Sequence, residues 1–378
     1  MDVTTRAMAR RFNGANSVVL GRPRLSVLLV NYRRWHDTAR LVRQLRTACA
    51  MRDGVAEVVI VDNASRPAPP IARLRRTPHV SVVRWRENRG FAVAVNEAAS
   101  RARGSYLLLL NPDMTASPDF LDEVLDRADA LFRHHPDAGI VGYRLRHSDG
   151  STQLSSGTFP TLAQVLTRLL LPRSIRKYRY PGPGVQPVDW VTGCCLMARR
   201  DCWEDLGGFD PAFFLYYEDV DLCRRARQRG WSVWHDPQVS IVHHMPLHRR
   251  RVPAHLRLVT RHALLTYAAK HWSPIESRLL ARVIHTEALA RATASWLGGD
   301  SVALQIFQEL VHVTKDHLAG RIDQARARLL AVIREQERRY DLLVDDRCSQ
   351  PQSARSLAHM PEQPHSVQSA GHSLVGRR

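Results

Sequence analysis

Residues 25–31 read Leu-Ser-Val-Leu-Leu-Val-Asn, an almost unbroken apolar run rich in branched side chains and too short for a helix. A run of this kind fits a strand covered on both faces, as in a parallel sheet flanked by helices. Apolar positions then recur at helical spacing (Leu41, Val42, Leu45) between Trp35 and Cys49, and Gly54 breaks the pattern before the next apolar run at residues 58–61. The rhythm continues with a strand at 80–83, a helix at 91–101 and a strand at 106–110. A helix near 118–132 and a strand near 140–145 follow, and the polar stretch 147–158 predicts a hairpin turning at Asp149 and Gly150. Alternation of this sort predicts an α/β domain built on an open, doubly wound, Rossmann-like sheet.

The strand signals end in polar residues: Asn31 after the first, Asp62 and Asn63 after the second, Asn88 to Gly90 after the third, Asn111 and Asp113 after the fourth. In open α/β sheets the ligand crevice lies beyond the carboxyl ends of the strands, so Asn31, Asp62, Asn88 and Asp113 are expected to converge. Past Arg249, Arg250 and Arg251 the strand signals stop, and residues 254–271, 275–296 and 302–343 carry helical patterns. The expected organisation is a flexible N-terminal segment over 1–24, a sheet domain over 25–248 and a helical extension over 249–345. A disordered tail is expected over 346–378, where Ser, Gln, Pro, His and Arg dominate.

Charge widens the range of partners before motifs narrow it. With 55 Lys and Arg against 36 Asp and Glu the formal net charge is +19, a field that draws phosphates on nucleotides, nucleic acids or anionic lipids. The arginines are scattered along the chain and accompany no helix-turn-helix, finger or aromatic RNA-binding pattern, which argues against nucleic acid. No stretch approaches the ~20 apolar residues of a membrane span and the N-terminus lacks the apolar core of a secretory signal, so a cytoplasmic protein is expected. The six cysteines (49, 194, 195, 202, 223 and 348) contain no Cys-x-x-Cys pair, so neither a zinc site nor a disulfide framework is expected. The first strand runs into Asn31, Tyr32, Arg33 and Arg34 rather than a Gly-x-Gly-x-x-Gly turn, which argues against a dinucleotide-dependent oxidoreductase. Residues 162–171, leucine-rich and followed by Arg173, Arg176 and Lys177, suit either a core helix with a solvated end or an amphipathic helix at an anionic membrane surface.

Three carboxylate positions carry candidate chemistry. Asp62 can accept hydrogen bonds from a pyrimidine or a ribose, or with Asn63 and Ser65 simply organise its own turn. Asp113, held by Pro112 at the mouth of a leucine-rich strand, can serve Mg²⁺ or Mn²⁺ together with phosphate oxygens, or act as a carboxylate at the start of the next helix. Glu218, Asp219 and Asp221 place three carboxylates within four positions behind Phe213, Phe214, Leu215, Tyr216 and Tyr217. At a helix start they repel one another while facing the positive dipole end, so one is suited to accept a proton near neutral pH; capping is the alternative.

Six segments in order carry a resemblance. They are Val30-Asn31-Tyr32, Val61-Asp62-Asn63-Ala64-Ser65, Glu87-Asn88-Arg89-Gly90-Phe91-Ala92, Leu110-Asn111-Pro112-Asp113, Gly193 and Cys194 with the later Gly207-Gly208-Phe209-Asp210, and Tyr217-Glu218-Asp219-Val220-Asp221-Leu222. Over residues 25–244 the chain resembles the family 2 inverting glycosyltransferases with the GT-A fold, and looks most like their rhamnosyltransferase branch. The resemblance implies a nucleotide-sugar donor, dTDP-rhamnose or else a UDP-hexose such as UDP-galactose or UDP-N-acetylglucosamine. It also implies a lipid-linked or polysaccharide acceptor in cell-envelope glycan synthesis, with peripheral contact at the inner face of the plasma membrane. Asn31, Asp62, Asn63, Asn88, Arg89, Gly90 and Asn111 would then lie at the donor. Asp113 would take the metal role of the family's Asp-x-Asp element, whose first Asp is replaced here by Asn111, with Mg²⁺ or Mn²⁺ as cofactor. His243 and His244 fall where a family histidine completes the metal site or touches the diphosphate, followed by Met245, Pro246 and Leu247 in place of the usual Gly and Ser. Asp219 would be the general base beside Glu218, with Asp221 and Tyr217 at the acceptor.

Overall fold

A computed structural model describes residues 22–170, 182–244 and 252–349 of the chain. The basic flank Arg173, Arg176 and Lys177, the Met245 to Arg251 stretch, most of the N-terminal segment and the tail beyond Ser349 lie outside the described residues. The strands are β1 (Leu25–Asn31), β2 (Ala56–Asp62), β3 (Val80–Arg84), β4 (Tyr106–Leu110), β5 (Met114–Thr115), β6 (Ala138–Arg146), β7 (Thr152–Gln153), β8 (Ser156–Gly157), β9 (Gln186–Pro187), β10 (Trp190–Val191), β11 (Cys195–Arg199) and β12 (Ser232–His243). The helices are α1 (Trp35–Leu45), α2 (Cys49–Arg52), α3 (Pro70–Arg75), α4 (Phe91–Arg101), α5 (Phe120–His134), α6 (Leu162–Leu170), α7 (Arg200–Leu206), α8 (Glu218–Gln228), α9 (Ala254–His271), α10 (Pro274–Leu297), α11 (Ser301–Leu318) and α12 (Ile322–Ser349).

The main sheet runs β3-β2-β1-β4-β11-β6-β12-β5. Its first four strands are parallel, as the alternating pattern predicts. β11 then lies antiparallel to both β4 and β6, and β12 runs parallel to β6, so the sheet is mixed. The two-residue period of the strands explains why their sequences are apolar throughout. Val27 and Leu29 of β1, Val58 and Ile60 of β2, and Leu108 and Leu110 of β4 face one core with α1 and α5. Leu28, Val30, Val59, Val61, Leu107 and Leu109 face the other, filled by Ala92, Ala94, Ala98 and Ala99 of α4 and by α7 and α8. Burying each such Leu, Ile or Val contributes about 1.5–3 kcal/mol, and a slip of one residue would exchange the faces, so the register that aligns the strand ends is strongly held.

The predicted hairpin forms, with Leu145 opposite Gln153 and Arg146 opposite Thr152. Two helical expectations are corrected. The pattern over 302–343 is two helices, broken where Gly320 turns left-handed at φ +74, and α12 runs to Ser349, past the expected start of the tail at 346. The chain divides into two compact units, residues 1–329 and 330–378. Of the second unit, the described residues continue α12. Among the described residues no helix is long and apolar enough to cross a membrane.

Candidate active site

The parallel strands end in register, Asn31 beside Asp62 and Asp62 beside Arg84, so three polar side chains meet at one sheet edge. Asn31 is fully buried; its amide donates to Asp62 (2.8 Å) and to Ser65 Oγ (3.0 Å) and accepts from Thr38 Oγ1 (2.8 Å). Asp62 is equally buried and also takes the Ser65 amide (3.3 Å) and Arg84 Nε (2.9 Å). A carboxylate so occupied braces the loop at the end of β2 and fixes where the Asn31 and Asp62 side chains stand at the sheet edge. Arg84 went unnoticed in the sequence, although the parallel register places it directly opposite Asp62.

Asn63 carries this brace outward. Its amide donates to Asn88 Oδ1 (2.7 Å) and accepts from the Arg89 backbone (2.9 Å), while Asn88 Oδ1 also accepts from Gly90 N (3.0 Å). Gly90 has φ +92, and a Cβ there would lie 2.8 Å from the Phe214 carbonyl oxygen, which accepts from Phe91 N (2.7 Å). Only glycine fits both demands, and the contact ties the Asn88–Gly90 loop to the segment leading into α8. Arg89 is exposed, its guanidinium 4.8 Å from the centre of the Trp85 ring.

Asp113 lies between β4 and β5. Because Met114 pairs with His243, the end of β12 is brought alongside it. His243 Nε2 is 3.5 Å from Asp113 Oδ1, and its Nδ1 is held by the Gln153 amide at 2.9 Å. Strand alternation turns the next residue away: His244 is exposed and its Nε2 meets Thr115 Oγ1 at 2.7 Å. Of the two histidines, His243 is therefore the one that shares a site with Asp113. Burial acts to raise the Asp113 pKa, but His243 and Arg34 outweigh it and hold the carboxyl below its usual range, so it is anionic at neutral pH. Among the described residues no three His, Cys, Asp or Glu side chains gather around a common point. The protein thus supplies one carboxylate and one imidazole, a donor set that fits Mg²⁺ or Mn²⁺ completing its shell with diphosphate oxygens and water. Gln153, which fixes the imidazole, was not recognised in the sequence, being distant until the hairpin folds.

The third group begins α8. Tyr216 and Tyr217 both hold left-handed backbone, φ 73 and 68, immediately before Glu218. Two consecutive non-glycine residues in this region cost on the order of 1–3 kcal/mol each, strain of a kind that clusters at functional sites. The turn leaves Tyr217 half-buried against Tyr267 (ring centres 5.6 Å apart) and directs Asp219 toward the loop before β11. There Asp219 Oδ2 accepts from Gly193 N (2.8 Å), and Oδ1 accepts from its neighbour Val220 N (2.8 Å). Asn111, at the end of β4, contacts the same loop through Cys194, its Nδ2 3.3 Å from Sγ and its N 3.0 Å from the carbonyl oxygen. Cys194 reports the convergence: burial above all pushes its pKa up to about 12, and Asp219, Asp113 and Glu218 each add to the rise.

Glu218 and Asp219 titrate as a pair, and their surroundings separate them. Burial and then the Asp219 charge raise Glu218 well above the usual carboxylate range, and its Oε2 is buried without a partner. Burial also raises Asp219, but it is half-exposed and the Gly193 and Val220 amides favour its anion. Glu218 is accordingly the neutral member and Asp219 the one available to take up a proton.

Asp221 does not join them. Although expected at the acceptor, it is fully buried one helical step away and accepts from Arg225 (2.7 Å), His271 (2.7 Å) and Lys270 (2.8 Å). Residues of α9 that carry no sequence motif thus clamp the start of α8 from behind.

The sequence profile described as "Glycosyl transferase family 2" matches residues 26–206. The chain is 29% identical over 267 residues to an N-acetylglucosaminyl-diphospho-decaprenol L-rhamnosyltransferase of Mycobacterium tuberculosis, covering 65% of this chain and 85% of the relative. It is 27% identical over 161 residues to the rhamnosyltransferase WbbL of Escherichia coli, covering 42% of this chain and 59% of the relative. Among solved structures it resembles GalNAc-T7 with UDP, GalNAc and Mn²⁺ in fold, with a TM-score of 0.51 and 15% identity over 81% of this chain and 58% of the other. Ordered motifs, mixed sheet and family model agree over the sheet: residues 26–206 are a family 2 glycosyltransferase domain, similar in sequence to rhamnosyltransferases.

Proposed function

We propose that the enzyme transfers L-rhamnose from dTDP-rhamnose to a lipid diphosphate-linked or polysaccharide acceptor in cell-envelope glycan synthesis, with inversion at the anomeric carbon. The observation that carries the chemistry is the Asp219 carboxylate, steadied by the amide of Gly193, beside Cys194, which Asn111 contacts and whose thiol feels the charge of Asp113. In this reading Asp219 takes the proton of the acceptor hydroxyl while that oxygen attacks the anomeric carbon. The bond to the donor phosphate breaks with its electron pair, and the nucleoside diphosphate leaves from the opposite face. Glu218, kept neutral by burial, adds no negative charge beside the base. Arg89 neutralises phosphate charge, and the Asn63–Asn88 loop shapes the donor side. Asp113 and His243 would hold a divalent cation, which when bound stabilises charge on the departing diphosphate. The choice of sugar and of acceptor class is supported by the names of the relatives.

The test combines a donor panel with one variant. dTDP-rhamnose with Mg²⁺ or Mn²⁺ is expected to raise the melting temperature above all other nucleotide sugars, by about 2.7 kcal/mol of stabilisation at a hundredfold excess over Kd. Asp219→Asn is expected to fold and bind that donor while losing transfer by at least about 100-fold. Stabilisation by a UDP-hexose alone would replace the donor, and wild-type turnover by Asp219→Asn would remove the base.

A further inference from the structure

α10 is a 24-residue helix with two unlike faces. Leu280, Ala281, Ile284 and Ala288 are buried on one. On the opposite face Ile275 is 78% exposed, Trp296 67% and Leu297 74%, joined along the same stripe by exposed Leu279 and Leu289 and, at the following turn, by Val302. Large apolar residues in such a row are unusual on a surface bathed only by water. From Ile275 to Leu297 the stripe extends about 33 Å at 1.5 Å per residue.

The charges along it have one sign. Arg278 and Arg282 are exposed between the apolar positions. Both carboxylates of α10 are engaged elsewhere: Glu276 accepts from Ser273 in a capping box, and Glu287 is held by Arg261 and Arg291. Asp300, beyond the end of the helix, caps α11 by accepting from Ala303 N (2.9 Å). A second copy laid on this face would bring arginines with no carboxylate to meet them. A bilayer rich in anionic headgroups offers phosphate to the arginines and hydrocarbon to Ile275, Trp296 and Leu297, and an indole at the edge of an apolar stripe suits the boundary between the two. The near end of the stripe also lies by the catalytic helix. Trp272, two residues before α10, donates from Nε1 to the Pro160 carbonyl oxygen (3.0 Å), and the adjacent Phe159 ring lies under Arg224 and Arg227 of α8 at 5.4 and 5.8 Å.

We infer that the exposed face of α10 is a membrane-contact surface that seats the enzyme on an anionic bilayer with the acceptor side of α8 near the lipid. The test is flotation of the full chain with vesicles of phosphatidylglycerol and phosphatidylcholine, or of phosphatidylcholine alone. It contains neither donor nor acceptor, so its outcome is separate from that of the transferase reading. Wild type is expected to float with the anionic vesicles and to be released at high salt. Replacing Ile275, Trp296 and Leu297 together by Ser is expected to lower partitioning about tenfold or more with an unchanged melting temperature. Arg278→Gln with Arg282→Gln, a pair that leaves the apolar residues in place, is expected to weaken binding to anionic vesicles at low salt. Failure of wild type to float, or flotation of both variants at the wild-type level, overturns the inference. So does a wild-type dimer that the serine variant dissociates without any change in vesicle binding, which would make the face a contact between copies.

Discussion

Replacing Asp221 by Asn separates two roles that the residue's place in the motif leaves combined. As an acceptor contact, its loss would lower turnover and leave stability untouched. The structure instead gives it His271, Lys270 and Arg225 as partners at full burial. Burial by itself would raise its pKa, but the hydrogen bond from His271 and the charges of Arg225 and Lys270 bring it down to about 2 from the ordinary 3.8. That difference corresponds to about 2 kcal/mol of folding free energy. Breaking a buried ion pair typically costs about 3–5 kcal/mol. The loss is moderated here because Lys270 keeps Asp210, and Arg225 keeps the carbonyl oxygens of Leu206 and Gly208. We expect Asp221→Asn to lose about 2–4 kcal/mol, a fall in melting temperature of about 3–5 °C for a chain of this size. A folded pKa below the unfolded one contributes stability above pH 3.8 that is lost as pH falls toward 2. The gap between wild type and variant, followed by urea denaturation, should therefore be constant near neutrality and close below about pH 4. Equal urea midpoints at pH 7 would refute the argument, and equal midpoints with lost turnover would return Asp221 to the acceptor.

Glu218→Gln should be more stable than wild type at pH 8. Because the folded pKa of Glu218 is raised, the folded state holds the proton that the unfolded state releases, so wild-type stability declines as pH rises above about 4.5, which calorimetry across pH can check. His243→Ala should raise the Mn²⁺ concentration needed for half-maximal transfer by about tenfold, while His244→Ala should leave it within about twofold, because only His243 faces Asp113; equal titrations for both variants would contradict this. Gly90→Ala should destabilise by about 1–3 kcal/mol and reduce transfer at saturating donor, since the added Cβ must displace the Phe214 carbonyl that leads into α8; an unaffected melting curve would show that the close approach is not required.

Periodicity in the sequence was enough to determine the parallel strands β1 to β4, the strand β6 and most helices, with the edge of the sheet where chemistry gathers, but not β11 and β12, which complete the sheet. Hydrophobic patterning is local, and the runs at 25–31 and 106–110 could satisfy only a strand buried on both sides. The ordered motifs likewise identified the chemical class, because Asp113 and Asp219 each sit at a recognisable break in an apolar pattern. Which partners each carboxylate receives was a matter for the tertiary structure. Asp62, Asp219 and Asp221 are alike as letters, and what distinguishes them is the set of distant partners that folding delivers: Arg84 from the neighbouring strand, Gly193 from the loop before β11, and His271 from α9. The same holds for His243 over His244, where one step along β12 decides between Asp113 and Thr115. A pKa depends on burial and on charges within a few ångströms, and neither exists until the chain has closed.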